Sequence, residues 1–119
     1  MGELRRIQAV KQFEIWWADI PGQAGKRPVL LLSRGDAYEY LNKFIVAEIT
    51  TVIRNIPVEV PLGAEEGLPK PCVVNCDNLR TVARSWLKKR AGVLASPRWG
   101  EVRRAVGYAF GWDELIDAG

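Results

Sequence analysis

Pro28-Val29-Leu30-Leu31-Leu32-Ser33 is apolar along almost its whole length and is closed by a hydroxyl residue. A short unbroken apolar run of this kind reads as a strand covered on both faces. Upstream, Pro21-Gly22-Gln23-Ala24-Gly25 is a turn, and Glu14-Ile15-Trp16-Trp17-Ala18-Asp19 reads as another strand, rich in aromatic and β-branched residues. Adjacent Trp16 and Trp17 must then point to opposite faces. One enters the core; the other needs a helix, a loop or a partner subunit to cover it. Downstream, Gly35 to Asn42 leaves room for a helical turn, and Phe44 to Val52 is a third strand. Val58-Glu59-Val60 is a short alternating strand closed by Pro61, which suits an edge. After a glycine- and proline-bearing loop, Gly63 to Pro71, the run Cys72 to Cys76 is a buried strand leading into Asp77 to Val82, and a further strand lies near Arg90 to Leu94. Ser96-Pro97 predicts a helix start, with Ser96 as N-cap and Pro97 in the first turn. Trp99, Val102, Val106 and Ala109 or Phe110 give that helix one apolar face, while Gly107 and Gly111 weaken its distal half. Many short strands followed by one amphipathic helix predict an α+β domain: a small, partly closed antiparallel β-barrel with a C-terminal helix packed on it. Residues 1–12 read as an N-terminal arm and 13–119 as one domain.

The 119 residues, 48% hydrophobic and 26% charged, suffice for a core without disulfides or a structural metal. No run approaches the 18 apolar residues of a membrane span, and the first dozen residues lack a signal-peptide pattern, so the cytoplasm is the expected location. Histidine is absent, which excludes His-based triads, paired-His ribonuclease chemistry and His-containing zinc sites. Cys72 and Cys76 would lie about 13 Å apart in a strand, too far to bridge, and read as small buried residues. The net charge of +3 is unevenly spread: residues 84–104 hold seven basic side chains against Glu101 alone, while Asp113, Glu114 and Asp117 make the tail acidic. Such a block serves either as a nucleic-acid footprint or as a solvated face.

Phosphate-loop, dinucleotide and metal motifs are missing. Polar residues do cluster at strand ends: Lys26-Arg27, Ser33, Thr50-Thr51, and Asn75, Asp77 and Arg80. Strand ends hold side chains at fixed spacing while leaving them accessible.

Lys26-Arg27-Pro28-Val29-Leu30, with the Trp-rich strand before it and Ser33 after it, resembles the opening signature of the MazF/PemK (Kid-like) toxins. Val46-Ala47-Glu48-Ile49-Thr50-Thr51 resembles their third strand. Gly67-Leu68-Pro69-Lys70 followed by Val73 to Val82 resembles their most recognisable stretch, and Leu94-Ala95-Ser96-Pro97 before an amphipathic helix resembles their C-terminal element. The resemblance spans about residues 13–110. It implies an SH3-like barrel of the plasmid-maintenance-toxin fold and a homodimer with an RNA groove at its interface. It implies a type II toxin–antitoxin endoribonuclease that cuts single-stranded RNA with no metal or other cofactor. The implied partners are RNA and an antitoxin with a flexible acidic C-terminal segment, with no membrane involved. In that family the 2′-hydroxyl attacks the adjacent phosphorus.

The resemblance assigns the catalytic roles to Arg27, a charged fork for phosphate oxygens, and to Thr50, a hydroxyl beside the scissile group. Ser33, Thr51, Asn75, Asp77 and Arg80 become RNA-binding candidates. Arg80 either binds phosphate or pairs with Asp77, and Asp77 is also a candidate for acid–base work. Two departures stand out: Asn75 occupies a position where some members carry arginine, and the Ile20–Gly25 loop is several residues shorter than is common. Two other functions suit the same fold, a barrel that binds RNA or peptide without cutting it and a toxin directed at DNA gyrase.

Overall fold

The computed structural model describes residues 9–118. These contain strands β1 (Glu14–Ala18), β2 (Arg27–Leu31), β3 (Lys43–Thr50), β4 (Glu59–Leu62), β5 (Cys72–Ala83) and β6 (Leu87–Val93), and helices α1 (Ala37–Tyr40), α2 (Trp99–Phe110) and α3 (Asp113–Ala118). The strands form one antiparallel sheet in the order β4-β5-β3-β2-β1-β6. The sheet is open, because β4 and β6 do not pair, so the partly closed barrel expected above is corrected in that respect. The two edges are joined instead by a 3-10 turn, Ala64–Glu66, packed on β6. There the main chains touch: a Cβ on Gly67 would lie 1.9 Å from the Ala91 carbonyl oxygen, and one on Gly92 2.2 Å from that of Glu66. Only glycine at both positions permits the approach.

Both sheet faces are covered, which explains the unbroken apolar runs. On one face Ile15, Leu30, Ala47, Ile49 and Val74 pack under Val102 and Ala105 of α2. On the other Trp16, Val29, Leu31, Val46 and Val82 pack with Phe44 and Tyr38. Leu30 and Leu31, neighbours on opposite faces, are both fully buried, and each such burial is worth about 1.5–3 kcal/mol. The tryptophan pair divides as its alternation requires. Trp16 is buried and donates from Nε1 to Glu14 Oε1 at 2.9 Å, whereas Trp17 is half-buried against the first core.

Several local expectations are revised. Pro61 lies inside β4 rather than closing it, opposite Val73; β4 pairs only with β5, so a missing N–H costs no ladder bond. Cys72 to Val82 is one strand rather than a strand and its sequel, and a bulge bends it: Ala47 faces Leu79 but Glu48 faces Asn75, so Cys76, Asp77 and Asn78 are extra residues on β5. Ser96 supplies no side-chain cap; a 3-10 turn, Ser96–Arg98, leads into α2 at Trp99. Arg98 instead ties this entry down, donating to Glu66 at 3.3 Å, to the Pro61 carbonyl at 2.7 Å and to Glu101 at 2.8 Å. Gly107 is a contact point as well as a weak helix former: a Cβ there would come within 2.9 Å of Leu115 and Ile116 of α3, a helix not expected from the sequence.

The arm expected over residues 1–12 falls largely outside the described residues. Its last part packs on the domain, with Val10 buried and Gln12 Nε2 donating to the Leu32 carbonyl at 2.9 Å.

Candidate active site

Arg27 opens β2 and Thr50 ends β3. The β2–β3 register pairs Val29 with Glu48 and Leu31 with Val46; continued two residues, it sets Arg27 across from Thr50. Side chains two apart on a strand share a face, so Arg27, Val29, Glu48 and Thr50 project to the same side. Two adjoining cavities open here, of about 200 and 340 Å³, and Arg27, Pro28, Ile49 and Thr50 line both. Arg27 is exposed, and no carboxylate among the described residues pairs with it. Thr50 Oγ1 accepts the Val52 N–H at 3.1 Å. That bond uses an acceptor lone pair and leaves the hydroxyl proton available to donate.

The smaller cavity adds Glu48, Arg54, Asn75 and Asn78. Asn75 is buried and its Oδ1 accepts the Asp77 N–H at 2.9 Å, which fixes the amide and supports the bulge. Glu48 pairs with Arg80, Nη1 to Oε2 at 3.2 Å. The register explains the pair: Arg80 lies opposite Val46, two residues before Glu48, and so reaches it diagonally. Arg80 is therefore bonded to Glu48, and not to Asp77 as the sequence allowed. Arg54 is presented by a turn in which Glu59 Oε1 accepts the Arg54 and Asn55 N–H groups at 3.0 and 2.9 Å.

The larger cavity adds Trp17, Lys26, Thr51, Leu68 and Lys70, and Cys72 lies in its wall. With Lys26, Arg27 and Lys70 and no acid, it is an electropositive channel beside an indole ring. Burial, and then the Glu66 charge, push the Cys72 thiol up, away from thiolate chemistry; Cys76, more deeply buried and near Asp77, is pushed up to about 12.

Of the residues singled out in the sequence, Arg27, Thr50, Thr51 and Asn75 line these cavities, and Arg80 reaches them through Glu48. Asp77 is exposed on the bulge and lines neither, its place being taken by Asn78. Ser33 lies six residues from Arg27, about 20 Å along an extended chain. It is buried, and its Oγ accepts the Ile45 N–H at 2.8 Å. The structure thus gives Ser33 a backbone-bonding role at the far end of the sheet. Part of the basic block is also tied up: Arg84, Arg90 and Arg98 bond to Leu41, Glu14 and Glu66 respectively.

Glu48 and Arg54 were not singled out. A lone acid inside Phe44 to Val52 is the one local signal for Glu48; Arg54 has none.

Residues 11–110 match the family model described as PemK-like, MazF-like toxin of type II toxin–antitoxin system. The chain is 38% identical over 90 residues to endoribonuclease MazF3 of Mycobacterium tuberculosis, covering 76% of this chain and 87% of that protein. It is 35% identical over 94 residues to the probable endoribonuclease MazF5 of the same organism, covering 78% and 85%. Among solved structures, M. tuberculosis toxin MazF-mt6 superposes with a TM-score of 0.76 at 36% identity, over 82% of this chain and 96% of the other. An endoribonuclease in complex with its cognate antitoxin, from a mycobacterial species, shares the fold with a TM-score of 0.77 at 23% identity, over 87% and 97%.

Proposed function

Because this chain belongs to the PemK-like, MazF-like toxins of type II toxin–antitoxin systems, we propose that it is an endoribonuclease in which Arg27 and Thr50 cut single-stranded RNA. The observation that carries this reading is the shared position of the two side chains at the junction of two cavities, one of them lined by three cations. A phosphodiester at the junction has one nucleotide on either side. The 2′-oxygen attacks phosphorus, the bond to the 5′-oxygen breaks, and the products are a 2′,3′-cyclic phosphate and a 5′-hydroxyl. Negative charge builds on the non-bridging oxygens during that step. Arg27, with no carboxylate partner among the described residues, offers two donors to them, and Thr50 adds its hydroxyl proton.

RNA leading away from the junction follows Lys26 and Lys70, with Trp17 as a face for a base, the usual pairing of charge and stacking for single strands. Thr51 in this channel and the amide of Asn75 in the smaller cavity contact RNA. An acidic antitoxin segment laid along the same cations would block it. A second copy of the chain pairs over the exposed Val52, Ile53 and Ile56, next to the smaller cavity. No helix of the described residues is long and apolar enough to cross a membrane, and the toxin acts in the cytoplasm, where its RNA is.

The test is incubation with a long single-stranded RNA in EDTA. Discrete fragments ending in 5′-hydroxyl and cyclic phosphate, absent with Arg27→Ala, are expected. Intact RNA across several unrelated sequences would refute the reading.

A further inference from the structure

The reaction needs a group to take the 2′-proton. Histidine is absent, arginine does not deprotonate in proteins, and Asp77 lies outside both cavities. We propose that Glu48 is the general base. It shares a strand face with Thr50, lies across from Val29, two residues from Arg27, and lines the cavity that those two residues lead into.

Its bonding suits the task. Arg80 holds Oε2, which orients the carboxylate. Oε1 has no partner among the described residues. The side chain is 37% exposed, open enough for a ribose to reach. The charged groups around it come from every neighbouring strand or loop: Arg27 from β2, Arg80 from β5, Arg54 from the β3–β4 turn, and Glu59 on β4, separated from it by Asn75. Glu59 is not part of the cavity lining and its Oε1 is taken by main-chain N–H groups, which leaves Glu48 as the carboxylate on the cavity wall.

In the step, Glu48 Oε1 takes the 2′-proton as the O2′–phosphorus bond forms. The phosphorus–O5′ bond breaks, and the departing O5′ takes a proton from solvent water. Glu48 then releases its proton to solvent, so atoms and charge balance without a further reactant. Arg80 is a positioning residue, acting through the carboxylate it holds.

This inference rests on the nuclease reading above, and the experiment separates the two. Single-turnover cleavage of an RNA oligonucleotide is followed from pH 4 to 9 for the wild-type chain, Glu48→Gln and Glu48→Asp. Binding of the 2′-deoxy form of the oligonucleotide is measured alongside. Glu48→Gln, which keeps the shape and an oxygen for Arg80, should slow cleavage about 100-fold, hold the affinity within about two-fold, and flatten the acid limb of the rate profile. Glu48→Asp should keep that limb and part of the rate. A Gln variant that cleaves within about three-fold of wild type, keeps the acid limb, or loses binding in step with rate would overturn the assignment. Wild-type cleavage lost in Arg27→Ala but untouched in Glu48→Gln overturns the base alone; a wild-type chain that leaves RNA intact removes both proposals.

Discussion

Strands β2 and β3 carry polar side chains at both ends, and the two ends use them differently. At the end holding Ser33 and Lys43, the Ser33 hydroxyl and the Arg84 guanidinium serve the fold. Ser33 accepts the Ile45 N–H, and the Arg84 guanidinium donates to the Tyr38 and Leu41 carbonyls while lying 4.9 Å from the centre of the Phe44 ring. At the end holding Arg27 and Thr50, a guanidinium has no carboxylate partner among the described residues, and a hydroxyl has its proton available to donate. The bonded end lets the open end stay rigid: a preorganised donor is useful only if the strands carrying it do not shift, and the far-end bonds and the two cores hold them.

The contrast breaks first at Arg27. Arg27→Ala should lower kcat about 100- to 1000-fold and leave the melting temperature unchanged; a loss in stability equal to the loss in rate would show that Arg27 serves the fold after all. Thr50→Val removes one donor to charged oxygens and should cost about 10- to 100-fold in rate at nearly constant stability. At the other end the effects should reverse. Arg84→Met should lower unfolding free energy by about 2 kcal/mol in urea titrations, with cleavage per folded molecule unaltered. The smallest effect is expected from Ser33→Ala, about 1 kcal/mol of stability and no change in RNA affinity; weaker RNA binding would restore Ser33 as a contact and blur the division.

The sequence exposes different parts of this arrangement unequally. Leu30 and Leu31 announce a strand buried on both faces because burial on both sides leaves no polar alternation. Arg27 and Thr50 are legible through the segments around them, which match a family pattern, and not through their own composition. Ser33 misleads because a hydroxyl at a strand end serves equally well turned outward to a ligand or inward to a main-chain N–H. Glu48 is hidden for a geometric reason. Its partner Arg80 is 32 residues away, and the pairing depends on the β3–β5 register that sets Arg80 opposite Val46. No local period encodes that register. The 3-10 entry to α2 is equally opaque, since Arg98 does by long-range bonding what Ser96 was expected to do by capping.

The contact of Gly67 with Gly92 has an effect beyond joining the sheet margins. The segment immediately after Gly67, Leu68 to Lys70, forms one bank of the electropositive channel, so that bank is moored to a strand with no residue in either cavity. A side chain introduced at position 92 would lever the bank outward and widen the channel at a distance. The width of the channel is in this way adjustable from the opposite rim of the sheet, without touching a residue that lines either cavity.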